Sequence, residues 1–183
     1  VTGVQTCALP IYSSADPIMA TINGTTANDI ITPDDLTGGI IGGIPSNLPD
    51  LIDGFAGNDS LDGAGGNDTL YGGTGDDTIL GGDGNDILDS DNSNGSGNDS
   101  LFGGAGNDTI FAYHNDIIDG GANDDLIRVW NDQAYSLQGG SGTDTVTIAS
   151  GYWIIGLSFS LADRKSTRLN SSHSSVSRMP SSA

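Results

Sequence analysis

The chain contains no glutamate; all 24 of its acidic residues are aspartate. Only five lysines and arginines oppose them, and the formal net charge is −19. That balance argues against nucleic acid and anionic membrane as partners and for cations. Cysteine is limited to Cys7, so no internal disulfide can staple the chain. No apolar run approaches the roughly 20 residues that span a bilayer. With two histidines in all, there is no His-Glu-x-x-His pair and no plausible Ser/His/Asp set, and nothing in the sequence supports catalysis.

The two ends differ from the rest. Val1–Ile11 can be written in codons whose reverse complement encodes Asp163–His173, residue for residue. Both ends resemble a translated sequencing adapter, so Val1–Ile11 and Asp163–Ala183 are expected to be artefact. That leaves Tyr12–Ala162, with 23 aspartates against the single cation Arg128, a formal −22. Cys7 falls in the excluded end.

What is abundant is glycine, 29 residues, and it is periodic. From Gly54 to Phe111 the chain reads in nines: Gly63-Ala-Gly-Gly-Asn-Asp68-Thr-Leu70-Tyr, then Gly72-Gly-Thr-Gly-Asp-Asp77-Thr-Ile79-Leu, then Gly81-Gly-Asp-Gly-Asn-Asp86-Ile-Leu88-Asp. Glycine favours positions one, two and four, Asp holds six, and Leu or Ile holds eight. Four residues, Ser90 to Ser93, interrupt the series and are expected to bulge outward, and Ala112 to Asp119 is one residue short. Full copies return at Gly120–Arg128 and Gly139–Thr147. Ile22–Ile31 is a degenerate first copy, and the prolines between Thr32 and Pro49 suggest an inserted loop. Tyr152 to Leu161 ends in strict alternation and suits a strand that caps the stack.

A fixed period of this kind marks a stacked repeat architecture. The first six residues suit a turn, since glycine tolerates positive φ and Asn and Asp follow it best. The last three are β-prone, and only the middle one can point inward. An inward ladder of Leu61, Leu70, Ile79, Leu88, Leu101, Ile110, Ile118, Ile127 and Val146 follows. Two nines make one coil, so Asp59 should lie over Asp77, Asp68 over Asp86, Asp77 over Asp99 and Asp86 over Asp108. Stacked carboxylates repel, and a positive charge must sit between the turns. Carboxylate and carbonyl oxygens select calcium over zinc or copper, and magnesium demands stricter geometry.

These repeats resemble the RTX calcium-binding nonapeptide family over Gly54–Thr147. The resemblance implies an all-β parallel β-roll, a right-handed solenoid, with several calcium ions between turns. It implies a calcium role for Asp59, Asp68, Asp77, Asp86, Asp99, Asp108, Asp116 and Asp125. It gives the same role to turn carbonyls such as those of Gly57, Gly66, Gly75, Gly84, Gly97 and Gly106. It also implies a secreted, extracellular bacterial protein and type I secretion machinery as a partner. A surface adhesin or matrix repeat, and the tail of an exoprotease, lipase or toxin, are the alternatives for the parent protein.

The domain reading is 12–53 for a degenerate repeat and loop, 54–147 for the roll, and 148–162 for truncated cap strands. Composition alone would equally describe a disordered chain, but disorder requires neither register nor an apolar column. One inward side chain per repeat, at about 1.5–3 kcal/mol each, does not offset the ordering of nine residues at about 1–2 kcal/mol apiece. Metal binding is therefore expected to supply much of the folding energy. His114 reads as a surface residue in place of a turn glycine. Trp130, Tyr135, Tyr152 and Trp153 read as cap and core residues ahead of a sugar-binding platform.

Overall fold

The computed structural model describes residues 21–32, 36–37, 42, 44–91, 97–130, 136–149, 158–160 and 168–171. Each strand forms where the last residues of a repeat place it, and at Thr78–Asp83, Ser100–Ala105 and Ile117–Ala122 it runs on through the first three residues of the next turn. The strands in chain order are β1 (Thr21–Asn23), β2 (Ile30–Ile31), β3 (Leu36–Thr37), β4 (Leu51–Asp53), β5 (Ser60–Asp62), β6 (Thr69–Tyr71), β7 (Thr78–Asp83) and β8 (Ile87–Asp89). They continue as β9 (Ser100–Ala105), β10 (Thr109–Ala112), β11 (Ile117–Ala122), β12 (Leu126–Trp130), β13 (Ser136–Gln138), β14 (Thr145–Ala149), β15 (Ser158–Ser160) and β16 (Arg168–Ser171).

Successive strands alternate between two eight-stranded sheets, β1-β4-β6-β8-β10-β12-β14-β16 and β15-β13-β11-β9-β7-β5-β2-β3. All pairings are parallel except β2 with β3. The chain is thus an all-β parallel solenoid, and no helix occurs among the described residues. Two repeats make one coil. Leu61 pairs with Ile79, Ile79 with Leu101 and Leu101 with Ile118 in one sheet. Leu70 pairs with Leu88, Leu88 with Ile110 and Ile110 with Ile127 in the other.

Every residue of the expected ladder is buried, at 0–1% exposure, within one continuous core. Ile22, Ile31, Ile52, Ala112, Val129 and Leu137 extend it. Ile52 and Leu137 occupy the eighth slot of repeats that lack most glycines. Their burial shows that the apolar column, more than the glycines, sets the strand register. Among the described residues the sheets begin at Thr21. The stretch read from sequence as an inserted loop contains a turn, Ser46 to Asp50, that feeds β4.

The Ser90–Ser93 interruption was expected to bulge outward. Ser90 and Asp91 are instead buried, at 0% and 3% exposure, while residues 92–96 lie outside the described set. Most of the proposed cap, 148–162, lies outside the described residues as well, though the backbone of β15 pairs with β13. Of the ends set aside as artefact, only 168–171 are described, and their backbone pairs with β14.

Candidate metal centre: two columns of buried aspartates

The turn holds its aspartate by a local rule. Position six lies just before the strand, so its backbone N–H points along the solenoid axis toward the next coil, where the equivalent carboxylate waits. The Asp59 N–H donates to Asp77 Oδ1 at 2.8 Å, Asp77 to Asp99 at 2.8 Å, and Asp99 to Asp116 at 2.9 Å. On the opposite side Asp68 donates to Asp86, Asp86 to Asp108 and Asp108 to Asp125, each at 2.8 Å. Regular coils separate the partners by 18 residues. The separation is 22 across the interruption and 17 where a repeat has lost a residue. The columns absorb both irregularities without a break.

The columns also reach further than expected. Asp29 donates to Asp59 and Asp50 to Asp68 at the start, and Asp125 to Asp144 at the end. Asp50 escaped the sequence reading because Pro45 and Pro49 conceal its turn. The signal was available, since Asp50 and Ile52 stand nine residues before Asp59 and Leu61.

All of these aspartates are buried to 3% exposure or less. Their Oδ1 atoms accept the ladder hydrogen bonds, but Oδ2 of Asp59, Asp68, Asp77, Asp86, Asp99, Asp108 and Asp125 has no hydrogen-bond partner. A buried carboxylate oxygen left alone costs several kcal/mol, so it is a place where a cation belongs. In the absence of one, the field is hostile to charge. Burial is the main cause in each case. It raises Asp59 and Asp108 to about 6, Asp68, Asp77 and Asp125 to about 7, and Asp99 to about 8, with neighbouring carboxylates adding to the effect. Asp86 and Asp144 are raised for the same first reason.

Glycine at position one leaves a hollow before the open oxygens of Asp59, Asp68, Asp77, Asp86, Asp108 and Asp125. A Cβ on Gly54 would lie 2.6 Å from Asp59 Oδ2 and 2.6 Å from the Gly72 carbonyl oxygen of the next coil. A Cβ on Gly63 would meet Asp68 Oδ2 and the Gly81 carbonyl at the same 2.6 Å. An anionic oxygen and a main-chain carbonyl thus converge at Gly54, Gly63, Gly72, Gly81, Gly103 and Gly120. Among the described residues no group of three or more His, Cys, Asp or Glu side chains converges for a metal. The donor set is therefore hard oxygen with a large main-chain share, which fits calcium and not zinc or copper.

Position four, at Gly57, Gly66, Gly75, Gly84, Gly97 and Gly106, forms its own column along the turn. Gly66 adopts φ +123°, and Gly84, stacked over its carbonyl, +141°. The carbonyls of position-one residues in the next coil, such as Gly72 and Gly81, lie beside the open oxygens of Asp59 and Asp68.

Three further features lacked a clear sequence signal. Position five builds an exposed amide ladder, in which the Asn85 N–H donates to Asn67 Oδ1 at 2.9 Å and the Asn107 N–H to Asn85 Oδ1 at 2.7 Å. Its direction is opposite to that of the aspartate columns. At the interruption, His114 Nδ1 lies 2.8 Å from Asp91 Oδ2, so His114 is a partner of a buried carboxylate and more than a turn filler. Trp130 stacks on Phe111 at 5.6 Å and on Tyr113 at 5.2 Å along the outer surface of one sheet. Tyr135, Tyr152 and Trp153 lie outside the described residues.

The family model for the RTX calcium-binding nonapeptide repeat (4 copies) matches residues 49–70, 62–96 and 93–127. No curated protein and no solved structure matches the chain. Calcium is thus the ion that both the donor chemistry and the family indicate for these turns. Residues 49–127, folded as a parallel roll with buried aspartate columns, are thus repeats of the RTX calcium-binding nonapeptide type.

Proposed function

We propose that this calcium-binding β-roll is a folding switch in a secreted bacterial protein. Its calcium ligands are the open Oδ2 atoms of Asp59, Asp68, Asp77, Asp86, Asp99, Asp108 and Asp125, together with turn carbonyls of adjacent coils. The observation that carries the reading is the set of buried oxygens without a partner. Among the described residues Arg128 and Arg168 are the only Lys or Arg, so the columns contain no internal counter-charge. Bound calcium supplies the positive charge that lets stacked carboxylates stay ionised.

Without it, each column sets like charges one above another in a low-dielectric turn, and repulsion opens the coil. At the calcium levels of a cytosol the chain is open and can be exported, with type I secretion as the route in keeping with the family. At the ~10⁻⁴–10⁻³ M affinities of extracellular modules it closes after release. The module itself is structural and non-catalytic. The roll at 54–147, its degenerate start at 12–53 and its cap at 148–162 act as one calcium-gated unit.

Far-UV circular dichroism through a calcium titration, with magnesium as control, tests this. A cooperative rise in β signal with calcium alone, reversed by chelator, is expected. A spectrum unchanged between chelator and millimolar calcium would show that the switch does not exist.

A further inference from the structure

Three position-six aspartates differ from the seven whose Oδ2 stands open. Asp29, Asp50 and Asp116 are as buried as their neighbours, at 0–2% exposure, and lie in the same two columns. Their Oδ2 atoms, however, are already bonded. The Thr25 N–H donates to Asp29 Oδ2 at 2.5 Å, and the Thr25 hydroxyl reaches Oδ1 at 3.2 Å. The Ser46 N–H donates to Asp50 Oδ2 at 2.8 Å, and the Ser46 hydroxyl reaches the same atom at 3.3 Å. The Tyr113 N–H donates to Asp116 Oδ2 at 3.1 Å, joined by the Ser90 hydroxyl at 3.2 Å.

In every case the amide is that of position two, and a hydroxyl supports it. In three of the open turns the position-two amide donates elsewhere. The Gly73 N–H donates to the Ser90 carbonyl at 2.9 Å. The Phe55 N–H donates to Asp53 Oδ1 at 3.1 Å, and the Ala64 N–H to Asp62 Oδ1 at 2.9 Å. Those turns leave Oδ2 of Asp77, Asp59 and Asp68 open.

We infer that the turns of Asp29, Asp50 and Asp116 take no calcium, because Thr25, Ser46, and Ser90 with the Tyr113 amide supply the donors that calcium replaces elsewhere. This rests on the calcium reading above and divides its sites. A carboxylate that already accepts an N–H and a hydroxyl hydrogen bond is stabilised as an anion without a metal, and coordination at its Oδ2 would have to break the bonds made there. Asp29 and Asp50 are the first rungs of the two columns among the described residues, so the first described coil is metal-independent and the metal-requiring coils stack on it. Asp116 is a metal-independent rung inside the column, at the repeat that has lost a residue. The rule is readable in sequence: a hydroxyl residue four positions before the aspartate, as in Thr25 to Asp29 and Ser46 to Asp50, marks a closed turn. Asp116 obeys it only in space, since Ser90 belongs to the previous coil.

The test counts ions bound to the full chain by equilibrium dialysis at saturating calcium, with circular dichroism confirming that each sample is folded. Asp77→Asn and Asp68→Asn are expected to lose at least one ion each. Asp29→Asn, Asp50→Asn and Asp116→Asn are expected to retain the parent number. A loss in any of these three equal to that of Asp77→Asn overturns the inference. If one of the three fails to fold, the unaltered chain decides. Eleven position-six aspartates less three closed turns allow at most eight ions, so nine or more overturns the inference. If Asp77→Asn and Asp68→Asn also keep the parent number, the calcium reading itself fails and this one falls with it.

Discussion

Leu88→Ala probes the core on which the metal turns are mounted. Leu88 is at 0% exposure in β8, between Leu70 of β6 and Ile110 of β10. The substitution removes three carbons, a transfer loss of about 2.4 kcal/mol at about 0.8 kcal/mol per methylene. The strands on either side are fixed by parallel ladders, so the hole cannot close, and a cavity contribution brings the total to roughly 3–4 kcal/mol. In a chain of this length 1 kcal/mol moves Tm by about 2–4 °C, so the calcium-saturated roll should melt roughly 6–16 °C lower. The same loss is two to three decades in the folding equilibrium. Because several ions bind in that one step, the calcium midpoint moves by only the corresponding root, about two- to threefold for about seven ions. Leu80→Ala is the control, since Leu80 points outward at 38% exposure and should cost under about 0.5 kcal/mol. Thermal melts followed at the β band in saturating calcium measure both. Equal Tm values for the two variants would refute the single-file core.

Other perturbations separate the remaining parts. Ala64 holds φ 71° at position two, where most later repeats use glycine, so Ala64→Gly should raise stability by about 0.5–1 kcal/mol. Gly82→Ala should lower it by more, since a Cβ there would lie 2.7 Å from the Ala64 carbonyl carbon; urea melts in calcium read both. Burial lifts the column aspartates from 3.8 to between about 6 and about 8 in the metal-free fold. The folded form then binds more protons than the open chain, and its relative stability, fully present below pH 3.8, is lost as pH rises through that range. In chelator, acidification from pH 7.5 toward 4.5 should therefore raise the β signal, whereas in calcium the same change should raise the calcium midpoint because protons compete for the carboxylates. Asn85→Ala interrupts the exposed amide ladder and should cost about 0.5–1.5 kcal/mol in a melt while leaving the number of bound calcium ions unchanged.

The sequence by itself determined the period, the inward column and the stacking partners. A nine-residue repeat with one apolar slot admits few packings, and a two-repeat coil puts Asp59 against Asp77 and Asp86 against Asp108 by counting alone. Oxygen-only ligands and a charge of one sign were enough to name calcium. Degenerate repeats were harder to read, because Ile52 and Leu137 keep their place by packing after the glycines have gone. Only the tertiary structure decided which aspartates stand open. An aspartate at position six looks the same in every repeat, and its second oxygen is open or closed according to where the position-two amide and a nearby hydroxyl point. For Asp116 that hydroxyl, Ser90, is 26 residues away and reaches it from the coil below. The pairing of Asp91 with His114 has the same origin, for it depends on an interruption and a shortened repeat coming to rest against each other in space.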